Sequence, residues 1–454
     1  DEAFTQEIRL SGGEDSSVFW QVGAYYYDAT NAQDFTSGTS GIQNPIAARI
    51  GLTLPVSRGS SFGGNPLADI QGNNNGISEF NDVSSSDTES TALFGQATWS
   101  INDWLSLTGG IRYTSVDKGF RTNITGEANG RTFVHGQIGA PISTDCGPIA
   151  GPGGGRTCSI VRNESDSWSN TSPKVTIDGQ WEDVGAFNSI LAYATYSEGW
   201  KEGGFQAPVS SLQPVSAFTI DPESAKNFEI GFKSRFWDNR ASFNFALFNT
   251  EYEGQQTNQN IGTQIVTFNL DTEIDGLEID GAFAVTDWLT LNYSAAFYDS
   301  AYGPGASLGL NPEDSIAGNN TVATPDLAYT IGWDAGTTLD NGMDVFFRGS
   351  YAFSDEVESD PDNAIARTDA ASGRNLLSLT KSSILNATLG IAKDNWELSL
   401  WGRNLTDDYV ATNVASFADF WLLNVAQADN PNLAVFEGTR TEPRSYGVSL
   451  RLRF

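Results

Sequence analysis

Few residues of this 454-residue chain are equipped for catalysis or metal binding: it has one histidine, His135, and two cysteines, Cys146 and Cys158. A hydrolase needs an activated Ser or Asp nucleophile and a positioned base, usually His. His135 sits in a Gly-rich region with no identifiable partner, so enzymatic activity is not expected. Haem capture calls for an axial His or Tyr, and a lone loop histidine reads as a solvated residue. Asp355, Glu356, Glu358, Asp360 and Asp362 carry carboxylates, but their spacing is not that of a calcium loop, so they read as a solvated acidic run and no metal site is expected. Gly151–Arg156 is not a phosphate cradle, because no Lys-Ser/Thr follows it. Cys146 and Cys158 bracket CGPIAGPGGGRTC. In an oxidising compartment they are expected to close a short disulfide loop, a gain of about 3 kcal/mol in the chain-entropy model; two free thiols are the alternative. No cofactor is expected.

The elements around these residues say more than the residues themselves. Charged residues make up 18% of the chain, below the roughly 25% of globular proteins, and aromatics 12%, with 12 Trp, 14 Tyr and 27 Phe. The net charge of −31 excludes nucleic acid as a partner, which requires clustered Lys and Arg. No apolar run approaches the roughly 18 residues of a membrane helix, so a membrane-spanning form of this chain is a β-barrel. The last ten residues, SYGVSLRLRF, alternate strictly: Tyr446, Val448, Leu450, Leu452 and Phe454 form an apolar face, and Ser445, Gly447, Ser449, Arg451 and Arg453 a polar one. Such a strand suits lipid on one side and a wet lumen on the other. In 105–114 and 289–298 the same alternation recurs, whereas 188–200 is apolar on both faces near its start and has no assignable facing.

The pattern predicts fifteen strands, at 3–11, 18–30, 90–101, 105–120, 166–181, 188–200, 224–237, 241–254, 267–285, 289–302, 326–339, 343–356, 382–394, 396–410 and 445–454. Their connections alternate between short and long. The short ones carry turn chemistry, as in Asp238-Asn239, Asp340-Asn341-Gly342 and Asp394-Asn395. The long ones, such as 71–90 and 354–363, are polar and read as solvated loops. Tight turns on one side and long loops on the other are the habit of outer-membrane barrels. The fold class is therefore all-β: an antiparallel transmembrane β-barrel. With fifteen strands the first and last run the same way, whereas bacterial barrels of this kind are even-stranded. Either the chain is the C-terminal part of a longer one, or one strand escapes the pattern.

Several segments, in order, resemble the TonB-dependent outer-membrane receptors: FTQEIRL at 4–10, ALFGQATWSINDWLSLTGGIRYT at 92–114, SPKVTI at 172–177, YSEGWKEGGFQ at 196–206, DPESAKNFEIGFKSRFWDNRASFNFALFNTEYEGQQ at 221–256, LWGRNLTDDYV at 400–410 and EPRSYGVSLRLRF at 442–454. The resemblance implies a barrel of roughly 22 strands with a plug, of which residues 1–454 are the last fifteen strands of the barrel domain. On that reading the plug and the TonB box lie outside the chain. The implied function is TonB-energised uptake of a scarce nutrient across the Gram-negative outer membrane, foremost a ferric siderophore complex. Uptake of carbohydrate or another organic nutrient, or a passive porin, is the alternative.

The implied partners are TonB, outer-membrane lipid and lipopolysaccharide, the barrel-assembly machinery reading the aromatic terminal strand, and the small nutrient complex. Ligand contacts are expected near the outer strand ends, at Tyr196, Trp200, Lys201, Gln206, Tyr252, Gln255 and Gln256. Girdle and plain loop roles compete for these residues. NPNL at 430–433 is similar to a haem-receptor motif but has no accompanying His, and reads as chance.

Overall fold

The computed structural model describes residues 2–38, 79–128, 156–206, 219–261, 264–308, 315–359, 361, 378–408, 410–416 and 436–454. Fifteen strands form one sheet: β1 Glu2–Gly12, β2 Val18–Gly38, β3 Glu79–Ser100, β4 Leu105–Ala128, β5 Arg156–Val184, β6 Phe187–Lys201, β7 Glu223–Phe236, β8 Ala241–Ile261, β9 Gln264–Thr286, β10 Leu289–Tyr302, β11 Leu327–Thr338, β12 Asp344–Ser354, β13 Ser382–Lys393, β14 Trp396–Arg403 and β15 Ser445–Leu452. Each pairs antiparallel with the next in chain order. No helix is long and apolar enough to cross a membrane among the described residues.

Cross-strand register sorts the side chains into two faces, because directly paired residues share a face. One face is apolar and open to the surroundings. Phe347, Leu389, Leu400 and Val448 form one of its rows, and Leu247, Leu277 and Phe297 another. Leu400, Val448 and Phe347 are exposed there, as are Leu93, Ile111 and Ile331. The opposite face is polar. On it Arg112 lies over the rings of Tyr25 and Phe94, at 5.6 and 5.5 Å, and Arg9 pairs with Glu7. The register also settles β6: Ile190, Ala192, Ala194 and Tyr196 join the apolar face, and Leu191, Tyr193, Thr195 and Ser197 the polar one.

The short turns lie together at one end. Three consecutive left-handed residues, Trp237, Asp238 and Asn239, make the β7–β8 turn, and the Asn188 side chain accepts a hydrogen bond from the Asn239 amide at 2.9 Å. Trp237 packs edge-on to Phe236 at 4.7 Å, and Trp104 stacks on Trp181 at 5.4 Å. Aromatics at this end suit an interfacial girdle.

Large rings repeatedly lie over glycines on the facing strand. Trp333 covers Gly349, Phe346 covers Gly390, Tyr193 covers Gly231 and Phe248 covers Gly276. A Cβ at any of these glycines would come within 2.1 to 2.2 Å of a ring atom, so the ring fills the space that a side chain would need.

Two expectations change. Several strands run well past their predicted ends: β5 has 29 residues, paired with β4 from Leu105↔Gly179 to Ala128↔Arg156. The polar stretch 71–90, read as loop, is strand from Glu79 onward. Alternation marks only the part of a strand with one apolar face. Beyond it both faces meet water, the pattern fades, and the backbone ladder continues. At the other extreme, the strand expected at 396–410 stops at Arg403, where Asn404 adopts a left-handed φ of 47° and turns the chain. Three small ribbons decorate the long-connection end: Gly204–Phe205 with Thr219–Ile220, Val357–Glu358 with Ser378–Leu379, and Ala411–Ser416 with Phe436–Arg440.

Candidate functional site

The most built part of the polar face is where the β6–β7 hairpin continues beyond Lys201 and Glu223. The sequence there is Lys201-Glu202-Gly203-Gly204-Phe205-Gln206. Gly203 is buried, and a Cβ on it would lie 2.5 Å from the Ile220 carbonyl oxygen and 2.6 Å from Trp168 Cε2, so only glycine admits this approach. The hairpin thereby bends over the polar face of β4 and β5. Lys118 of β4 donates to the Gly203 carbonyl at 2.9 Å and pairs with the Glu202 carboxylate at 3.0 Å. Phe205 stacks on Phe120 with ring centroids 5.8 Å apart and planes 20° apart, and meets Trp168 at 6.1 Å and 58°. Both geometries fall in the favourable range for aromatic pairs.

From the other side, β8 and β9 hold the same hairpin by its backbone. A bulge between Tyr252 and Gln255 re-aims β8. Gly254 sits in it at φ +65°, a conformation that suits glycine. Its amide donates to Asp271 Oδ1 at 2.8 Å, and its carbonyl accepts from Asn269 Nδ2 at 2.8 Å. Gln256 Nε2 donates to the carbonyls of both Glu202 (2.9 Å) and Asp221 (3.1 Å), while its backbone amide donates to Glu223 Oε2 at 2.8 Å. One side chain thus joins the outgoing and returning arms of the hairpin.

The β10–β11 connection rests on the same strands. Leu270, Tyr302, Ala306 and Ile316 form a buried apolar cluster with Phe268 and Leu308 against it. Beside it, Thr321 Oγ1 bonds Ser300 Oγ at 2.7 Å and Thr324 Oγ1 at 2.9 Å. The Gly303 amide donates to the Asp271 carbonyl at 2.7 Å, linking this connection to the β8 bulge.

The residues expected to meet ligand are distributed as follows. Gln206, Gln255 and Gln256 come together at the hairpin root. Gln206 Oε1 accepts from the Thr267 amide at 2.9 Å, and Gln255 Oε1 from Thr272 Oγ1 at 3.1 Å. Lys201 is opposite Glu223 and Tyr252 opposite Ala225 and Thr272, both on the polar face. Tyr196 and Trp200 have the other parity: Tyr196 shares the apolar face with Val175 and Phe228, and its hydroxyl donates to Glu198 at 2.7 Å. Lys118, Phe120, Trp168, Glu202, Phe205 and Asn269 belong to the site without having been singled out. The Gly203-Gly204 pair was the one local signal for it. His135 and Cys146 lie outside the described residues, as do Asp360, Asp362 and the NPNL segment, so the disulfide expected between Cys146 and Cys158 is not tested. Of the acidic run, Asp355 is paired with Lys381 at 2.7 Å, and no group of three or more metal-ligating side chains occurs among the described residues.

Residues 4–405 match the family described as TonB dependent receptor-like, beta-barrel. The chain belongs to this family. Solved structures agree at the level of fold. Those similar to this TonB-dependent receptor include the ferric yersiniabactin uptake receptor FyuA from Yersinia pestis (13% identity, TM-score 0.64, 99% of this chain and 54% of that one). Another is the siderophore receptor PiuA from Acinetobacter baumannii (17%, 0.62, 99% and 55%). A third is the closed form of the ferric-catecholate import receptor Fiu from K12 E. coli (16%, 0.60, 100% and 54%). The chain spans about half the length of these receptors, 54 to 55%. No curated protein matches it.

Proposed function

We propose that this TonB-dependent receptor lies in the Gram-negative outer membrane and takes up a ferric siderophore complex, with TonB supplying the energy. The observation that carries the reading is the family match over residues 4–405. Continuous apolar rows on one face, with charged and hydrogen-bonding groups on the other, support a wall between lipid and a wet lumen. Residues 1–454 are read as barrel domain. The outer end, with its hairpin root and packed β10–β11 connection, is read as the side that meets cargo. The iron assignment is supported by the company the fold keeps, three receptors named for siderophore or ferric-complex uptake. The reading includes no enzymatic step.

The test is growth of a deletion strain under iron limitation on single ferric complexes, with carbohydrates as sole carbon sources in parallel. Loss of growth on one class of ferric complex, restored by the full gene but not by a TonB-uncoupled version, is expected. Normal use of every ferric complex together with loss of growth on one sugar would overturn the iron assignment in favour of carbohydrate.

A further inference from the structure

We propose that Lys118, Phe120 and Trp168 form a binding socket for an arene bearing an anionic oxygen, and that Glu202 and Phe205 of the chain itself occupy it in the absence of ligand. The internal occupant defines the chemistry. Glu202 presents a carboxylate to the Lys118 ammonium at 3.0 Å, and three residues on Phe205 presents a ring to Phe120, nearly parallel at 5.8 Å. Trp168 also meets the Phe205 ring, tilted by 58° at 6.1 Å. An anion and an aromatic face held side by side on a cation and two rings are the features of an aryl carboxylate or a phenolate.

The socket is on the polar face: Lys118 pairs with Asp166 across β4 and β5, and Trp168 with Val116. It is only partly shielded, with Lys118 and Glu202 side chains 21% and 34% exposed. The backbone beneath is fixed by Gln256, which holds the Glu202 and Asp221 carbonyls, and by Asn269 on Asp221. What leaves on ligand entry is therefore the Glu202 carboxylate and the Phe205 ring, with the strand ladder intact. A ligand repeats the contacts that it displaces, so it gains by adding charge-assisted bonds to Lys118, which also holds the Gly203 carbonyl at 2.9 Å.

As a statement about cargo class this rests on the uptake reading, but its test does not. Salicylate is titrated calorimetrically into the full-length purified receptor, with cyclohexanecarboxylate as an anion lacking a ring and benzyl alcohol as a ring lacking an anion. Phe205→Ala, which empties the ring position, and Glu202→Gln, which removes the competing charge, are expected to bind salicylate several-fold more tightly than the wild type. Lys118→Met is expected to weaken it by about tenfold or more, the scale of a hydrogen bond to a charged group. Each control ligand, making only half of the contacts, is expected to bind every variant several-fold more weakly than salicylate does. Heat-modifiable mobility on semi-native gels identifies folded variants, and if Phe205→Ala fails to fold, Glu202→Gln alone decides. Weaker or undetectable salicylate binding on removing Glu202 or Phe205 would overturn the proposal, as would equal binding of cyclohexanecarboxylate. Socket binding without any iron phenotype would instead remove the uptake reading and leave the socket standing.

Discussion

Asn404 shows how much one side chain holds. It is buried, at a left-handed φ of 47° that asparagine tolerates better than most residues. Its Nδ2 donates to the carbonyls of Asp408 and Glu442, both at 2.9 Å, and its Oδ1 accepts from the Asp408 amide at 3.0 Å and Thr406 Oγ1 at 3.1 Å. Asp408 in turn accepts from the Ser383 hydroxyl at 3.1 Å. The knot ties β13, β14 and the approach to β15. Asn404→Ala removes a buried amide that serves two partly shielded carbonyls, and a loss of about 1–2 kcal/mol is expected in denaturant unfolding of the purified receptor. Asn404→Gly relieves the backbone but not the carbonyls, so it should recover only a minor part. At Gly349 the problem is space. A Cβ would lie 2.2 Å from Trp333 Cζ2 and 2.5 Å from the Asn386 carbonyl oxygen, whereas nothing lies within 4 Å of one at Gly109. Gly349→Ala is expected to cost about 1–3 kcal/mol by overpacking and Gly109→Ala almost nothing, compared by the temperature at which each loses its compact gel mobility.

Between elements, the β12–β13 connection is stapled by Asp355 and Lys381 at 2.7 Å. The Lys381 ammonium, with help from the Glu356 amide, holds the Asp355 carboxyl below its usual range, and the carboxylate raises Lys381 in return. A depressed acid contributes stability above its unfolded pKa and loses it as pH falls through the folded one. A raised base contributes below its unfolded pKa and loses it as pH rises through the folded one. The staple therefore holds across neutral pH and fails only below the ordinary Asp value of about 3.9 or above the ordinary Lys value of about 10.4. In Lys381→Met, the Asp355 carboxyl-carbon titration should move up toward the ordinary value; an unchanged midpoint would count against the ion pair as its cause. The hairpin root is the other junction at this scale. Gln256 was singled out as a ligand contact for its place near a strand end, yet its amide is engaged by the Glu202 and Asp221 carbonyls. The bend at Gly203-Gly204 and the strands that catch it depend on residues distant in the chain, Lys118, Trp168 and Gln256, which no local pattern connects.

For the whole molecule, the two faces carry opposite demands. Phe297 and Ser294 are three residues apart on β10 and on opposite faces, Phe297 opposite Leu277 and Ser294 opposite Asp280. In a lipid-facing wall Phe297→Arg is expected to lower stability by about 2–4 kcal/mol near the midplane. Ser294→Arg, beside an aspartate, should stay within about 0.5 kcal/mol. Folding yield into vesicles separates them, and equal tolerance of both would argue that the apolar face does not meet lipid. The sequence by itself determined fifteen strands, the alternation of short turns and long connections, and the apolar face of β4, β10 and β15, because a period of two and turn residues are local properties. Only the tertiary structure decided the facing of β6, where both parities are apolar and neighbours alone break the tie. It also decided the extra length of β3 and β5, where pairing outlasts hydrophobic pattern. The socket was beyond sequence reading for the same reason: Lys118, Trp168 and Phe205 are far apart in the chain, and only a hairpin folded back across β4 and β5 brings a cation and three rings together.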